Sequence, residues 1–357
     1  MKSIFAWVEK HERHLSAAAM VGGFVFDNLF FNRIDEAITH TVFISYLLIA
    51  AFAISFAHYL EEHTVEGLRR PRWRSLLPIA TQFAFGGLWS GFLIFFSRSA
   101  TLAASWPFLL ILGSIFLGNE ILKKYHDRLV FNAVLYFFAL YSYSIFAVPL
   151  LTHAIGTGTF ILSGVVAVAL FAVFMLFLRR LGRFRLLKSV WQIRFWAGIV
   201  FLLLNIFYFT NILPPLPLTL AHGGIYHSVI KIEGGYSAQV EDQPWYTSFG
   251  LTPALHVAFG EPLYAYSAVF APIALNTKIV HEWQWYDETA GRWVTRLSVS
   301  FPISGGRGGG YRGYTIENNL QTGGWRVNIK TPDGRLIGRL GFTVVVGVRS
   351  ETTTIPL

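Results

Sequence analysis

The chain has 357 residues, of which 54% are hydrophobic and only 14% are charged, and it contains no cysteine. A soluble globular domain rarely has this composition. The lack of cysteine excludes disulfides, thiolate catalysis and cysteine-ligated metal clusters.

Long apolar runs occupy the first 213 residues of the chain. Roughly 20 apolar residues are needed to cross about 30 Å of hydrocarbon, and seven runs approach that length. No cleavage site for a signal peptidase follows the first run, so we interpret it as a retained helix. We therefore predict an all-α membrane bundle over residues 1–213, with seven transmembrane helices. The runs lie at about 15–31, 38–58, 76–96, 102–122, 129–150, 158–178 and 195–213.

The net charge of +9 is concentrated at alternate ends of these runs. Those ends hold 16 Lys and Arg residues, whereas the opposite ends hold only Arg33 and Arg98. By the positive-inside rule, the N-terminus is cytoplasmic and everything beyond residue 213 lies outside. Beyond residue 213, 11 basic residues face 10 acidic ones. The basic excess thus indicates topology, and we predict no nucleic-acid partner.

A proline-rich connector, residues 214–224, follows the last run, because Pro214 and Pro215 cannot continue a helix. Residues 225–357 are enough for one compact domain. We predict that the first third of this domain is irregular, since the segment EGGYSAQVEDQPWYTSFG is rich in turn-forming residues.

Beyond that third, apolar residues alternate with period two, which is typical of strands. In WVTRLSVSF, Trp293 shares a face with Leu297, and in WRVNIK, Trp325 shares a face with Val327. We predict that both tryptophans are core. TPDGR, residues 331–335, is a strong hairpin turn. These patterns predict an all-β antiparallel sandwich of immunoglobulin-like kind.

Several short motifs punctuate the C-terminal half: HEWQWYD, GGRGGGYRGYT, GWRV and GRLIGRLGF, after the connector LPPLPLTL. Together they resemble an uncharacterised family of bacterial inner-membrane proteins, which join a multi-helix membrane half to a C-terminal domain of unknown function. The segment VGGFVFDNLFFNRID is similar to their first helix. The resemblance implies a multi-pass protein of the Gram-negative inner membrane with its C-terminal domain in the periplasm. It implies no activity and no catalytic residues.

The segment SGGRGGGYRGYT, residues 304–315, contains the spacing GxGxxG. A dinucleotide site needs these glycines between a strand and a helix. The flanks here are strand-like on both sides, so we predict no nucleotide. Two interpretations remain. The glycines supply backbone geometry between strands, or the segment is a recognition loop whose arginines and tyrosines bind a ligand: Arg307, Tyr311, Arg312 and Tyr314.

His281 and Trp283 lie on one face of the segment TKIVHEWQWYD. Either they belong to the core or they contribute to the same binding surface, because a histidine on that face is costly to bury without a partner. The acidic residues of the domain are interpreted as solvated loop residues, Glu241 among them. We predict no metal and no cofactor. The cluster around His58 and Glu62 has a spacing that permits metal ligation, but it is interpreted as a solvated helix end.

In the membrane half, polar residues gather toward the outer ends of the runs, and charges at mid-depth are lacking. The gathered residues are Asp27, Arg33, Asp35, His40 and His153. The leading hypothesis is a non-enzymatic envelope protein, an accessory or assembly subunit, whose β domain binds a protein partner or a cell-envelope glycan. The alternative is a membrane-embedded enzyme that acts on a lipid or lipid-linked substrate at the outer leaflet and uses that polar cluster.

Overall fold

The structure is a computed structural model that describes residues 24, 25, 27, 31, 35–63, 76–99, 102–121, 129–215, 217–242, 252–272, 275–305, 309–347 and 351–357. The chain divides into two compact units. The first ends at Leu213 and is helical, and the second contains Pro214–Leu357 together with Arg98–Ala104.

Six long helices form the described part of the first unit. They are α1 (Ala37–His63), α2 (Leu76–Ser99), α3 (Leu102–Ile121), α4 (Leu129–Thr152), α5 (Thr157–Leu181) and α6 (Arg183–Phe209). Five of them are long and apolar enough to cross a membrane, and α3 contributes a shorter apolar stretch, Ala104–Gly118. The first predicted run, 15–31, lies mostly outside the described residues, so the prediction of seven spans is not confirmed.

The last helix begins earlier than the sequence predicted. Its predicted start was residue 195, whereas α6 begins at Arg183. The reason is Gly182, whose extended backbone separates α5 from α6. The basic residues that follow Gly182 are therefore helical.

Helix α4 is the most buried of the candidate spans, with 72% of its apolar window inside the unit, against 28% for α5 and 22% for α6. Small residues let helices of this unit approach one another. A Cβ added at Gly164 of α5 would lie 2.9 Å from the hydroxyl of Tyr141 on α4, and one at Gly87 of α2 would collide with the ring of Tyr46 on α1. Close packing at Gly87 agrees with the expectation for small residues in membrane helices. Helices α5 and α6 expose large apolar side chains on the sides that do not pack against other helices, as lipid-facing helices do.

The described residues of the second unit include eleven strands, and residues 219–357 are called the β domain below. The strands are β1 (Thr219–Tyr226), β2 (Ser228–Ile232), β3 (Gly235–Glu241), β4 (Ala254–Val257), β5 (Leu263–Phe270), β6 (Asn276–Asp287), β7 (Arg292–Ser304), β8 (Tyr311–Glu317), β9 (Gly323–Lys330), β10 (Leu336–Val346) and β11 (Thr352–Pro356).

These strands make three sheets, with the orders β1-β5-β8, β4-β10-β9-β6-β7 and β11-β3-β2. The immunoglobulin-like arrangement is not confirmed, since that fold has two sheets and β4 here pairs with β10 in parallel. The prediction of an irregular first third is wrong, because β1, β2 and β3 lie there. Gly234 lies in the hairpin turn between β2 and β3, where it has φ 87°.

Strand β5 is buried on both faces and lies in the middle layer. Leu263 and Ala265 join the core of the five-stranded sheet, which contains Trp283. On the opposite face, Tyr266 and Ala268 pack with residues of β2 and β3. The β domain therefore has two separate cores, one on each side of the β1-β5-β8 sheet.

A β-bulge between β6 and β7 overturns one prediction about the core. Trp283 pairs with Leu297, but the next residue, Gln284, pairs with Thr295, so one extra residue stands on β7. A bulge of this kind shifts the alternation of side chains by one. Trp293 therefore lies on the outward face, half-buried, whereas Trp325 is in the core as predicted.

The turn at residues 331–335 connects β9 to β10 as predicted. The main-chain N–H of Thr331 donates to the oxygen of Arg335 at 2.9 Å, and Gly334 has φ 88°. Burial lowers the pKa of Arg335 to about 9, and its Nε lies 3.0 Å from the Asp333 carboxylate. The turn thus fixes the register of the two strands that carry the surface described below.

Candidate functional site

The glycine-rich segment connects two strands, β7 and β8. A Cβ at Gly305 would collide with the carbonyl oxygen of Pro272, and Gly310 has φ 83°. Both positions thus need glycine for backbone packing. Residues 306–308, including Arg307, lie outside the described residues. No helix follows Gly310, so within the described chain the strand–loop–helix order of a dinucleotide site is absent.

The other predicted loop residues lie on β8. Arg312 Nη1 donates a hydrogen bond to the main-chain oxygen of Leu357 at 3.0 Å. Tyr314 is 37% exposed, and its ring centre is 6.0 Å from that of Tyr236 and 5.8 Å from that of Tyr264. We call Tyr236, Tyr264, Arg312 and Tyr314 the tyrosine edge. Tyr236 was not predicted from the sequence because its segment was interpreted as irregular. Tyr311 is half-buried at the start of the same strand.

His281 and Trp283 are fully buried and do not belong to an exposed binding surface. His281 Nε2 lies 2.7 Å from Ser267 Oγ, and its Nδ1 lies 3.0 Å from Thr315 Oγ1. Trp283 Nε1 donates to the same Thr315 oxygen at 2.9 Å. Hydroxyl groups thus satisfy both ring nitrogens of His281. These hydrogen-bond partners of the buried histidine were not predicted from the sequence. Burial lowers the pKa of His281 to about 4.

A second surface, not predicted from the sequence, is the outward face of the five-stranded sheet. Its polar side chains alternate with the core residues of β6, β9 and β10. Arg326 Nε donates to Gln284 Oε1 at 2.7 Å, and Arg339 Nε donates to Asn328 Oδ1 at 2.7 Å. We call this surface the basic face: Glu282, Gln284, Trp293, Arg326, Asn328, Lys330 and Arg339.

Hydrogen bonds hold the middle of the basic face in a fixed arrangement. Asn328 Nδ2 donates to Glu282 Oε2 and to Gln284 Oε1, both at 3.0 Å. Lys330 Nζ lies 2.7 Å from Glu282 Oε1. Burial alone would raise the pKa of Glu282, but the bonds from Lys330 and Asn328 outweigh it and lower that pKa. Glu282 is thus ionised at neutral pH and neutralises Lys330.

The two arginines of the basic face have a different environment. The guanidinium carbon of Arg326 lies 4.1 Å from the ring centre of Trp293, a cation–π contact. Burial, followed by the charge of Arg339, lowers the pKa of Arg326, and the charge of Glu282 opposes this in part. Burial also lowers the pKa of Arg339, again opposed in part by the charge of Glu282. The face therefore places two like charges near each other on a rigid support.

Glu241 is buried, and its interpretation as a solvated loop acid is wrong. Its Oε1 lies 2.6 Å from His256 Nδ1, and its Oε2 accepts the main-chain N–H of His256 at 2.9 Å. His227 Nε2 lies 3.4 Å from the same Oε2. The Glu241 carboxylate thereby accepts a hydrogen bond from a main-chain N–H of β4. Among the described residues, no group of three His, Asp or Glu side chains is suited to hold a metal ion.

The predicted polar residues of the membrane half contact different helices. Asp27 lies beside Ser90 of α2, and His40 Nδ1 lies 3.2 Å from the hydroxyl of Tyr143 on α4. Ser90 lies nine positions before Ser99, the last residue of α2, so Asp27 contacts this helix deeper than its predicted location near a helix end. His153 is exposed after α4, Asp35 precedes α1, and Arg33 lies outside the described residues.

His58 is buried, so the interpretation of this group as a solvated helix end is wrong for it. Its Nε2 lies 2.8 Å from the carbonyl oxygen of Gly182, at the break between α5 and α6. A helix end leaves carbonyl groups without intrahelical partners. His58 therefore has a structural role at this break.

Comparison with known families concerns the strands that carry the basic face. Residues 276–344 match the family model DUF2914, a protein of unknown function. The DUF2914 segment begins with β6 and ends within β10, so it contains His281, Trp283, Arg326 and Arg339. The match covers the C-terminal part of the chain only.

Comparison with curated proteins gave no match. Among solved structures, a β-glucosidase from Listeria innocua is 15% identical over 27% of this chain and 15% of its own, with a TM-score of 0.20. The chain thus spans a small fraction of that enzyme. The Pseudomonas fluorescens alkylpurine DNA glycosylase AlkC, bound to DNA, is 10% identical over 87% of this chain and 100% of its own, with a TM-score of 0.23. Likenesses this weak carry no argument about fold or function.

Proposed function

We propose that this is a non-enzymatic inner-membrane protein whose β domain lies in the periplasm and binds a protein partner or a cell-envelope glycan. The helical unit is its membrane anchor, and the protein acts as an accessory or assembly subunit. The concentration of basic residues at alternate ends of the apolar runs supports this topology.

The tyrosine edge is the observation that carries the binding proposal. Tyrosine and arginine are enriched in the few interface residues that supply most of the binding energy. Tyr314 is exposed on β8, which is an edge strand of its sheet, and two further tyrosine rings lie against it. A rigid aromatic group of this kind loses little conformational entropy when a ligand binds. The edge is therefore suited to contact a partner.

The location of the β domain is tested by thiol labelling, for which a chain without cysteine is a clean background. Lys231 on β2 and Lys188 on α6 are both exposed. In intact spheroplasts, a membrane-impermeant maleimide is expected to label the thiol of Lys231→Cys and to label that of Lys188→Cys only after lysis. Labelling of position 188 in intact cells, with position 231 protected, would overturn the proposed topology.

Binding is tested on the full chain, expressed at its native level and purified in nanodiscs, with mass spectrometry of all retained protein and glycan. A stoichiometric component is expected. Tyr314→Ala should reduce its retention by tenfold or more, because loss of a central interface residue costs about 2 kcal/mol. Phe259→Ala, which alters a side chain that is 97% exposed elsewhere in the domain, is the control and should retain the component. Purification of the wild-type protein with nothing but bulk lipid would refute the binding proposal.

A further inference from the structure

The basic face carries two guanidinium groups whose binding capacity is incompletely used. Arg326 and Arg339 each donate Nε to an amide oxygen of the sheet itself. Among the described residues, their terminal Nη groups have no hydrogen-bond partner. A guanidinium has five N–H donors in a planar fork, which matches the paired oxygens of a carboxylate or a phosphate.

The two guanidiniums are held in place before any ligand arrives. Arg326 is fixed by its bond to Gln284 and by the ring of Trp293. Arg339 is fixed by Asn328, which in turn is bonded to Glu282. The charge of Glu282 offsets part of the mutual repulsion of the two guanidiniums, and an anion that contacts both would relieve the rest. A fixed pair of donors gains affinity because little side-chain entropy remains to be lost.

There is open space beside this pair. Gly341 of β10 is paired with Arg326 across the sheet, and a Cβ placed there would have no heavy atom within 4 Å. Gly341 lies in a strand and does not have a positive φ. Neither the backbone conformation nor the packing therefore requires a glycine at this position. A ligand group can therefore approach both guanidiniums from above β10.

The chemistry of the surrounding face favours a sugar polymer over a protein. Of the outward side chains on β6 and β9, only Val280 is aliphatic. Protein interfaces need an apolar core around their anchors. The amides of Gln284 and Asn328 are bonded within the face, so the groups that it offers are the terminal N–H groups of the two arginines, the hydroxyl of Thr295 and the half-buried ring of Trp293. Hydrogen-bond donors, hydroxyls and aromatic rings are the groups that contact the hydroxyls and the flat sides of sugars.

We propose that the basic face binds an acidic glycan, with a sugar-borne anionic group held between Arg326 and Arg339 over Gly341. This inference rests on the proposed function of the β domain as a binding module and names the ligand class. It places the ligand on a surface separate from the residues of the tyrosine edge.

The test uses the full chain in nanodiscs of zwitterionic lipid, with binding measured to polygalacturonate, to neutral dextran and to polyglutamate. The wild-type protein is expected to bind polygalacturonate more tightly than either of the other polymers. Arg326→Gln with Arg339→Gln should weaken this binding by tenfold or more. Gly341→Val, which keeps every charge and fills the open space, should also weaken it. The charge-matched control is Lys231→Gln with Arg292→Gln, two exposed residues off the basic face, and it should bind within twofold of wild type.

Three results would overturn the inference: no binding of polygalacturonate, equal binding of polyglutamate, or equal binding by the Arg326/Arg339 double variant. Phosphorylated dextran separates the two anion types, since equal binding of it and polygalacturonate would assign the shared oxyanion chemistry and not the carboxylate alone. If native-level purification retains a component and the Arg326/Arg339 variant binds polygalacturonate as tightly as wild type, the proposed function stands and this inference falls. If nothing is retained by the wild type, the proposed function itself falls.

Discussion

Replacing Trp283 with alanine is expected to lower the free energy of opening of the β domain by about 3–5 kcal/mol, the usual cost of removing a large aromatic side chain from a core. Trp283 is fully buried, and its ring meets that of Phe342 edge to face at 6.1 Å. Its N–H also bonds Thr315, so the substitution removes a partner from the network around His281. The loss should appear as faster hydrogen–deuterium exchange in peptides from β6, β9 and β10, measured on the full chain in nanodiscs.

Trp293→Ala is the matched control, because it removes the same side chain from the outward face of the same sheet. Its expected cost is within about 1 kcal/mol, mostly the cation–π contact with Arg326. Equal effects of the two substitutions would show that the bulge between β6 and β7 does not reverse the orientation of Trp293.

Acidification is expected to destabilise the β domain through His281. Burial lowers the pKa of this residue from its ordinary 6.5 to about 4, so between these two values the unfolded chain binds a proton that the folded chain does not. The contribution of the neutral His281 ring to the free energy of unfolding is therefore complete above pH 6.5. It is lost as the pH falls from 6.5 to about 4. The limiting loss is roughly 3 kcal/mol, which is the free energy that corresponds to a pKa of 6.5 in the unfolded chain and about 4 in the folded one.

His281→Gln removes the titrating group and keeps an amide that can contact Ser267 and Thr315. The variant should be less stable than wild type at pH 7, and the difference in stability between pH 7 and pH 4.5 should shrink by about 2 kcal/mol. Hydrogen–deuterium exchange, corrected for the intrinsic effect of pH, provides the measurement. His222→Gln, at an exposed position of β1, serves as the control. An unchanged pH dependence in His281→Gln would rule out this histidine as the source.

The helical unit was largely predictable, because a membrane-spanning helix leaves a long apolar run that few other structures produce. The one large error in its described part concerned α6. Hydropathy alone stops at the basic residues after Gly182, although arginine and lysine continue a helix well. The backbone of Gly182, which breaks the helix, is visible only in three dimensions.

The β domain was predictable where side chains alternate regularly and not where a single residue disturbs the alternation. Trp325 lies in such a regular strand and was assigned correctly. Trp293 lies beyond the bulge, and every position on that side of it changes face. The period-two pattern of one strand does not reveal the extra residue of a bulge unless the pairing with the partner strand is known.

The surfaces were the least predictable part. Arg326 and Arg339 are 13 positions apart and appear in the sequence as ordinary polar residues of two strands. Only the register of the β9–β10 hairpin and its pairing with β6 brings them into one network with Gln284 and Asn328. Glu241 was misjudged for a similar reason, since its partner His256 lies across a segment with no regular pattern. The recurrence of Arg, Asn and Lys at alternate positions of WRVNIK was the available signal for a polar sheet face.

The layering of the three sheets has a consequence for how the β domain forms. Strand β5 pairs with β1 and β8, and Thr352 of β11 pairs with Glu241 of β3, 111 positions earlier. Contacts between such distant parts of a chain demand a large loss of entropy before they return any stability, and domains rich in them fold slowly. The β11-β3-β2 sheet cannot close until β11 has been synthesised. Until then β2 and β3 alone cover the tyrosines of β5 that face this sheet, and the apolar contacts from Ile355 and Leu357 are missing. An incompletely covered core of this kind favours self-association of the nascent domain.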